Sequence, residues 1–515
     1  MALRGGMDLG TTYSAVSYYD PNDSRVETID LDTADGAKVI RSVVFYPGSG
    51  EAPVVGDTAW NAARQEPDRV ILGIKRSMGS DYLTPLIDGV RYSPPQVSAE
   101  ILRTLAHDAA MFLGEPLTDV VITVPAYFGD GERAATEEAG RLAGLNVLGL
   151  LPEPHAAALA YAVDRVAEIQ DRYLLVYDLG GGTFDVTLIH AGTTGGASGI
   201  ALQIETLCKA GNAQLGGLDW DRALADIVAE KVMDAHGVDP RQDAKNEAVL
   251  FDNCEKAKRD LSRHRSAMIV ANLERHQVEV SVTEFEDRTR DLLAQSEALV
   301  EQVMADAESQ HGISRDQIEV MLTGGSTRMP MVRRMIQGIT GKPPLQHGNP
   351  ELLVTRGAAY WAHLLQADAP VIVNIPGPQG PVPTPVTLSG LTDTGRAIGV
   401  EVFRPDGQGG MTRFNSVVVP EGAAYGEQFE KDFATTEDGM TEIPIILYEG
   451  ASDSLDDCIP LMTFTLTGLP PGRPRGQRVS VKLGYDQSGI LRGQAVAGTG
   501  QNIEIVVDRI KNRAS

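Results

Sequence analysis

The sequence predicts an α/β domain built from two similar halves, followed by an all-β domain. Up to about residue 366, short β-branched runs alternate with long, Ala-rich amphipathic stretches, which is the pattern of an α/β protein. The motif DLGTT at residues 8–12 recurs as DLGGGT at residues 178–183, and a second strand-like run follows each motif. Two hairpins with the same tip indicate a duplicated lobe. From about residue 393, six short apolar runs separated by Gly, Pro, Asp and Asn are typical of a β-sandwich.

A proline-rich stretch separates the two regions. Six of the sixteen residues from 370 to 385 are proline, a content that neither a helix nor a central strand tolerates. We therefore expect a first domain at residues 1–366, an extended, semi-rigid linker at residues 367–392, a β-sandwich at residues 393–510 and a short tail at residues 511–515.

Composition excludes several classes of protein. The 515 residues include 45 Lys and Arg against 70 Asp and Glu, a net charge of −25, so nucleic acid is not an expected partner. No run of 18 apolar residues occurs, and neither a membrane span nor a secretion signal is expected. Cys208, Cys254 and Cys458 are scattered and form no CxxC pair, so we expect buried, reduced thiols in a cytoplasmic protein.

The two hairpin tips have the chemistry of a phosphate site. Glycine adopts positive φ and adds no bulk, so backbone N–H groups and the small hydroxyls of Thr can approach a phosphate closely. Asp8 and Asp178, at the ends of the first strands, are placed to hold Mg²⁺ through water. Either motif alone is compatible with an ordinary turn. The pair favours a nucleotide held between two lobes.

A third element supports the same interpretation. In IEVMLTGGSTRMPMVRRMI, a strand-like run ends at Gly324 and Gly325, with Ser326 as the expected N-cap and Pro330 in the first turn of the following helix. A helix N-terminus preceded by glycines favours binding of an anion. A tight strand-to-helix turn is the alternative for this element taken alone.

Over its first 366 residues the sequence resembles the ATPase domain of the seventy-kilodalton heat-shock protein family, the DnaK-type chaperones. The matching stretches occur in the family's order: DLGTTYSAV, LGIKRSMG, VITVPAYFGDGERAAT, EPHAAALAY, DLGGGTFDV, LGGLDWD, EKAKRDLS and LTGGSTRMP. The resemblance implies an actin-like fold, with two lobes around a cleft, and weak intrinsic hydrolysis of ATP to ADP with Mg²⁺.

The resemblance also implies roles for residues at the phosphate end. Lys75 matches the family's catalytic lysine, which contacts the phosphates and the attacking water, and Asp8 and Asp178 lie near the Mg²⁺. Glu153 and Asp185 are the remaining carboxylates around metal and water. The expected phosphate contacts, of which Thr183 is also catalytic, are Gly10, Thr11, Thr12, Tyr13, Gly180, Gly181, Gly182 and Thr183.

Four residues of EKAKRDLS have helical spacing and therefore share one face of a helix. They are Glu255, Lys258, Arg259 and Ser262. Without the resemblance, this face is an ordinary solvated stripe of charge. In the family, the Glu and the Lys hold the ribose and the Arg stacks on the base. Residues matching Gly325, Ser326 and Arg328 close the other side of the adenosine pocket, next to Gly324.

The carboxyl half resembles the family's peptide-binding sandwich more loosely, through GVEVF, TTEDGMTEIPIILYEG and VSVKLGYDQSGILRGQA. By position, five residues would line the pocket and arch for an extended apolar peptide. They are Val400, Phe403, Thr436, Ile443 and Ile445. The alternative is that Ile443 and Ile445 are simply alternating core residues of a strand.

The sequence also departs from the family. Only KNRAS follows IEIVVDRI, so a member without the helical lid is expected, and the segment between Arg76 and Pro94 is shorter than usual. His155 stands where the EPxAAA motif has Thr, and Leu218 replaces an acidic residue. The segment before Glu153 lacks polar and basic groups, which makes an ordinary J-domain partner doubtful.

These observations predict an ATP-dependent chaperone, in which nucleotide state controls binding of extended apolar peptides by the sandwich. A nucleotide-exchange factor is a further expected partner. One alternative is a nucleotide-gated module that binds a single dedicated protein client. Another is a small-molecule kinase, which shares the two-lobed fold, but the stretch EKAKRDLS and the C-terminal β region argue against it.

Overall fold

The computed structural model describes residues 3–31, 37–48, 50–169, 171–196, 199–366, 370–377, 380–391, 397–405, 411–423, 426–486 and 491–506. The helices are α1 (Asp57–Ala62), α2 (Pro94–Leu113), α3 (Asp130–Leu142), α4 (Glu153–Asp164), α5 (Gly217–His236), α6 (Ala244–Leu261), α7 (Val282–Arg288), α8 (Arg290–His311), α9 (Pro330–Thr340) and α10 (Leu353–Leu364). None of the helices in these ranges is both long and apolar enough to cross a membrane.

The first strands are β1 (Arg4–Asp8), β2 (Tyr13–Asp20), β3 (Arg25–Thr28), β4 (Ile40–Arg41), β5 (Val43–Phe45), β6 (Val54–Val55), β7 (Val70–Leu72), β8 (Asp119–Val124), β9 (Asn146–Pro152), β10 (Asp171–Leu179), β11 (Phe184–Gly196), β12 (Gly199–Asn212), β13 (Ser266–Val270), β14 (Gln277–Ser281) and β15 (Ile318–Thr323). The later strands are β16 (Val371–Gly377), β17 (Gly380–Leu391), β18 (Ile398–Pro405), β19 (Met411–Val419), β20 (Phe429–Ala434), β21 (Glu442–Glu449), β22 (Ile459–Thr467), β23 (Arg478–Tyr485), β24 (Leu491–Ala497) and β25 (Asn502–Val506).

The chain divides into two compact units. The α/β unit comprises residues 1–127, 135–148 and 152–388, and the β unit comprises residues 128–134, 149–151 and 389–515. The tail predicted at residues 511–515 lies outside the described residues.

Two sheets of the α/β unit repeat one arrangement. In the first, β1 pairs antiparallel with β2 and parallel with β8. In the second, β10 pairs antiparallel with β11 and parallel with β15. Residues 9–12 connect the first hairpin and residues 180–183 the second, so both motifs read from the sequence lie at the tips of equivalent hairpins. The repeated hairpin predicted from the two motifs is therefore present, and the duplicated lobe stays a prediction.

Glycines in β1 allow a helix to pack directly on the strand. A Cβ on Gly6 would lie 2.2 Å from the backbone nitrogen of Ala359 in α10. A Cβ on Gly357 would lie 1.7 Å from the carbonyl oxygen of Ala156 in α4. Because α10 contacts β1 and α4 this closely, the glycines that weaken the strand pattern before Asp8 are required by packing.

The structure differs from the predicted linker. Strands β16 and β17 pair antiparallel, with Val371 opposite Val386, and the second sheet runs in the order β15-β10-β11-β12-β17-β16. Val371 and Val386 are fully buried, and the backbone N–H of Ile372 donates a hydrogen bond to the hydroxyl of Tyr19 at 3.1 Å. Residues 371–377 and 380–388 are therefore part of the α/β unit rather than a free connection. Residues 367–369, 378–379 and 392 of the predicted linker lie outside the described residues.

The prolines of β17 are compatible with a strand inside a sheet because of their spacing. Pro381, Pro383 and Pro385 occupy alternate positions, so the missing N–H groups all face one neighbouring strand. The residues between them keep their N–H groups for the other neighbour. We expected that a proline-rich segment could not lie between two strands. That expectation used the number of prolines and overlooked their alternate spacing.

The β unit contains two four-stranded antiparallel sheets, ordered β19-β18-β21-β22 and β20-β23-β24-β25. Strand β19 contacts β23, and β22 contacts β25. Buried side chains alternate along the strands, as in β23, where Val479, Val481 and Leu483 are buried. The six predicted runs each contribute a strand. Two strands lie outside these runs. Strand β24 begins in the matching stretch VSVKLGYDQSGILRGQA. Strand β20 was missed because its apolar residues, Phe429 and Phe433, are four positions apart and resemble a helical spacing.

Candidate functional site

One cavity of about 660 Å³ lies in the α/β unit at the tips of the two hairpins. Of the twenty-one residues predicted for catalysis, metal and nucleotide, nineteen line it: Asp8, Gly10, Thr11, Thr12, Tyr13, Lys75, Glu153, Asp178, Gly180, Gly181, Thr183, Glu255, Lys258, Arg259, Ser262, Gly324, Gly325, Ser326 and Arg328. Gly182 and Asp185 do not line it. Segments that are far apart in the sequence therefore meet at one place.

The two hairpin tips are in direct contact. A Cβ on Gly181 would lie 1.8 Å from Oγ1 of Thr12, and a Cβ on Gly182 would lie 2.4 Å from Cγ2 of Thr11. Only glycine fits at these positions of the second tip. Oγ1 of Thr12 is buried and has no hydrogen-bond partner among the described residues. An unpaired buried hydroxyl at a glycine-lined tip is available to a ligand.

The third predicted element meets the second tip. Gly324 follows β15 with a φ of 81°, and a Cβ there would lie 2.4 Å from the carbonyl oxygen of Leu179 and 2.7 Å from Oδ1 of Asp178. Oγ of Ser326 donates a hydrogen bond to the carbonyl oxygen of Gly180 at 2.9 Å.

One detail of that element differs from the prediction. Residues Gly325–Arg328 form a 3-10 turn, and α9 begins at Pro330 with Met329 in the N-cap position. Ser326 is therefore not the N-cap. Its hydroxyl bonds to the hairpin tip instead.

Lys75 lies inside a group of carboxylates. Its Nζ donates to Oε1 of Glu153 at 2.6 Å, and the two side chains are 5% and 10% exposed. Burial lowers the pKa of the Lys75 ammonium, but Glu153, Asp8 and Asp178 outweigh that effect and hold it above its ordinary value. Lys75 therefore keeps its positive charge although it is buried.

The aspartates of this group retain protons to unusually high pH. Burial and the neighbouring Glu153 raise the pKa of Asp8 to about 6, although Lys75 and a hydrogen bond from Oγ1 of Thr123 oppose the shift. Burial, Glu153 and Asp8 raise the pKa of Asp178 to about 8. Burial also raises the pKa of Asp185 well above its ordinary value. Several carboxylates close together in a buried site are typical of a place that receives a cation.

Arg76, next to Lys75, was not predicted. Its Nε donates to the carbonyl oxygen of Gly182 at 2.7 Å, and its Nη2 donates to Oδ2 of Asp219 at 2.6 Å. Arg76 thus connects the segment that carries Lys75 to the second hairpin tip. It lies inside the matching stretch LGIKRSMG, which was the available signal.

At the far side of the cavity, Glu255 in α6 is held from three directions. Oε2 accepts from Nη1 of Arg41 at 2.5 Å, and Oε1 accepts from the hydroxyl of Tyr13 at 2.8 Å and from Nη2 of Arg259 at 2.6 Å. Burial raises the pKa of Glu255, but Arg41 and Arg259 outweigh it, so the net shift is downward. The guanidinium of Arg259 also lies 5.3 Å from the centre of the Tyr13 ring.

Three further residues of this side were not predicted. Arg41 is only 8% exposed, and no sequence motif marks it. Asp221, in the matching stretch LGGLDWD, accepts from Nζ of Lys258 at 2.8 Å. Glu351 accepts from Nε of Arg328 at 3.2 Å and lines the cavity. Ion pairs between distant segments do not appear as a local pattern in a sequence.

One departure from the family lies close to this site. His155 is fully buried in α4, and its Nε2 lies 2.9 Å from Oγ1 of Thr206. A buried polar contact thus accompanies the change from Thr to His at this position.

The residues predicted for peptide binding are dispersed in the β unit. Val400 and Ile445 lie on the neighbouring strands β18 and β21 and are 4% and 2% exposed. Ile443 is half-buried, Phe403 is 46% exposed, and Thr436 is exposed just after β20 of the other sheet. The structure groups Val400 and Ile445 with the core, and their assignment to a peptide pocket stays a prediction.

The three cysteines are buried and free, as expected. Cys208 and Cys254 belong to the core of the α/β unit, where burial raises the pKa of both thiols. Cys458 is buried in the β unit.

Known proteins are similar to this chain over nearly its whole length. A family model described as Hsp70 protein matches residues 5–90 and 85–514. The chain is 38% identical over 512 residues to Chaperone protein DnaK of Thermosipho melanesiensis, covering 98% of this chain and 79% of that protein. It is also 38% identical over 514 residues to the proteins of the same name from Thermotoga petrophila and Thermotoga maritima, covering 98% of this chain and 80% of each relative. This chain therefore belongs to the Hsp70 family.

Proposed function

We propose that this protein is an ATP-dependent molecular chaperone whose cavity binds and hydrolyses Mg-ATP and whose β unit binds extended apolar segments. Hsp70 family members are ATPases, and the chain shares the family over nearly its whole length. The observation that carries the assignment of the site is the convergence of nineteen motif residues on one cavity. Family membership also sets aside the small-molecule kinase.

The phosphate end of the cavity fits Mg²⁺. Its acidic side chains supply the oxygen ligands that Mg²⁺ prefers, and this ion usually keeps several waters and binds phosphate oxygens. Asp8 and Asp178 would hold the ion. When bound, Mg²⁺ neutralises charge on the phosphates.

The protein's own groups would position the reacting phosphate. Phosphoryl transfer depends mainly on positioning and on neutralising charge. The paired and charged Lys75 would contact the phosphates, while the backbone of the glycine-lined tips and the unpaired hydroxyl of Thr12 would cradle them. Glu153, which fixes the Lys75 ammonium at 2.6 Å, would also orient the attacking water.

The arrangement of the α/β unit is part of the proposal. Two sheets with the same hairpin and the same parallel neighbour support an actin-like, two-lobed ATPase domain. The two contacting sheets of the β unit support a sandwich. In the proposed sandwich the half-buried Ile443 and the exposed Phe403 and Thr436 are accessible to a peptide.

We include partners and location in the same proposal. The expected partners are extended apolar peptide segments and a nucleotide-exchange factor, and three free buried thiols agree with a cytoplasmic protein. Residues 149–152, just before Glu153, are Gly-Leu-Leu-Pro and carry no charge, so an ordinary J-domain is expected to add little stimulation.

The function is tested by the dissociation rate of a fluorescent apolar peptide from the full chain with ATP and with ADP. The proposal expects dissociation to be at least about tenfold faster with ATP, because related complexes differ mainly in their dissociation rates. Equal rates with both nucleotides would overturn the chaperone assignment. Binding of one protein client, but of no generic peptide, would favour the dedicated module.

A further inference from the structure

Asp221 has no role in the site as derived so far, although it lines the cavity. It is 4% exposed, one turn into α5, and its Oδ2 accepts a hydrogen bond from Nζ of Lys258 at 2.8 Å. The same Nζ donates to the carbonyl oxygen of Gly217 at 2.9 Å. Lys258 is thus held between the first residue of α5 and a buried carboxylate.

Lys258 is held where the adenosine side of the cavity meets the second hairpin tip. The backbone N–H of Gly217 and the hydroxyl of Ser326 each donate to the carbonyl oxygen of Gly180 at 2.9 Å. A Cβ on Gly217 would lie 2.3 Å from Oγ of Ser326 and 3.1 Å from Nζ of Lys258. The Lys258 ammonium therefore has a narrow location beside the second hairpin tip.

The two candidate ribose contacts are supported differently. Three side chains hold the carboxylate of Glu255, those of Arg41, Tyr13 and Arg259. The ammonium of Lys258 has one side-chain acceptor among the described residues, Asp221. Loss of Asp221 would therefore leave the Lys258 ammonium with the carbonyl oxygen of Gly217 as its remaining acceptor among the described residues, whereas Glu255 would keep its three partners.

The charge of Asp221 is suited to this one partner. Its second oxygen, Oδ1, is buried and has no hydrogen-bond partner in the described part of the chain. Burial raises the pKa of Asp221, and the ion pair with Lys258 opposes that shift. Burying a carboxylate with one oxygen unpaired costs free energy of folding. A role in positioning Lys258 therefore explains the presence of Asp221 better than packing does.

We infer that Asp221 is a positioning residue that fixes the Lys258 ammonium for recognition of the ribose hydroxyls of the nucleotide. This inference rests on the proposed function, and it names the feature of the substrate that Asp221 helps to select. It predicts that Asp221 affects discrimination between ribose and deoxyribose nucleotides, not only affinity.

The test is the affinity of the full chain for Mg-ADP, 2′-deoxy-ADP and 3′-deoxy-ADP, measured by titration calorimetry. The wild type should bind ADP about tenfold more tightly than the worse deoxy analogue, the effect of one charge-assisted hydrogen bond. Asp221→Asn and Lys258→Ala should each lower ADP affinity by a similar factor and remove most of the discrimination. In the double variant, Asp221→Asn should add nothing to Lys258→Ala, because both act through one contact.

The control is Asp226→Asn on the same helix. Asp226 does not line the cavity, and its Oδ1 lies 2.7 Å from Nη1 of Arg241. It should keep both affinity and discrimination. If Asp221→Asn does not fold, Asp221→Glu replaces it in the test. This variant retains the charge, but it should also reduce discrimination, because the extra methylene displaces the carboxylate.

The outcomes separate two kinds of failure. Equal loss of affinity for all three nucleotides, or additive effects in the double variant, would overturn the positioning role while leaving nucleotide binding intact. A wild type that binds ADP without discrimination would also overturn it. A wild type that binds no adenine nucleotide would instead refute the proposed function and, with it, this inference.

Discussion

The nucleotide cavity and the predicted peptide site present opposite problems. In the cavity, several of the predicted residues are charged and yet buried, as are Lys75 and Glu153. In the β unit, the predicted residues are mostly apolar, and the two most buried, Val400 and Ile445, look like any core residues. A buried charge is costly and needs a reason, whereas a buried Ile on a strand needs none beyond the core. A site made of buried charges is therefore far easier to recognise than a site made of aliphatic side chains.

The largest expected effect tests the apolar side of this comparison. Ile445→Asp should unfold or strongly destabilise the β unit, by about 3–5 kcal/mol, because an unpaired charge would be buried in its core. Ile443→Asp, at a half-buried position two residues away, should keep the fold and weaken peptide binding. Denaturant unfolding and peptide affinity of the two variants separate these effects. If Ile443→Asp unfolds the unit as well, Ile443 is a core residue and not a pocket residue.

The next effect tests the charged side. Lys75→Ala should lower the rate of ATP hydrolysis by about 100-fold or more, since it removes the buried cation at the phosphates. ADP affinity should change little, because the side chains at the adenosine end are untouched. Single-turnover hydrolysis and ADP titration provide the two measurements. A parallel loss of binding and turnover would show that Lys75 mainly shapes the cavity.

A pH measurement sharpens the same contrast. The pKa of Asp178 is raised from 3.8 to about 8 in the folded protein, so the folded state keeps a proton that the unfolded state releases. Stability of the nucleotide-free protein should therefore fall as pH rises from about 4 to about 8. Asp178→Asn should remove about 1–3 kcal/mol of this fall. Urea unfolding at pH 5.5 and pH 8 measures it, and an identical pH dependence in wild type and variant would contradict the raised pKa.

The smallest effect concerns apolar burial within the α/β unit. Val386→Ala should destabilise this unit by about 1–2 kcal/mol, because Val386 is fully buried opposite Val371. Val382→Ala in the same strand should cost less than about 0.5 kcal/mol, since Val382 is 42% exposed. Thermal unfolding of the two variants tests whether the hairpin is integrated. Equal, negligible effects would mean that it is not.

The same contrast accounts for what the sequence could and could not predict. Short motifs located the two hairpin tips and Lys75, because packing alone rarely requires glycines and charges at a fixed spacing. Arg41 could not be found, since its partners, Asp57 and Glu255, include one more than 200 residues away along the chain. The role of Ser326 was wrong in detail, because its hydroxyl donates to the carbonyl oxygen of Gly180, a contact between distant segments that a local N-cap pattern does not show.

The proline-rich hairpin was missed for a different physical reason. The number of prolines gives the number of missing N–H donors. Whether the segment can form a strand within a sheet depends on which neighbouring strand those donors would have faced. In β17 the alternate spacing confines the loss to one side, and the fully buried Val371 and Val386 supply the packing. Strand β20 escaped notice because an edge strand with mostly exposed, charged side chains has little apolar alternation.

The hairpin of β16 and β17 also covers a sheet edge that could otherwise pair with another copy of the chain. Strand β12 is 14 residues long, and β17 pairs with it where its backbone would otherwise be open to solvent. A long unpaired edge is a template for strands from other chains, whereas an outer strand that carries Pro376 and is bonded to Tyr19 is a poor one. A fragment cut at residue 366 would expose the edge of β12 and should self-associate, while a fragment that continues through residue 388 should stay dispersed.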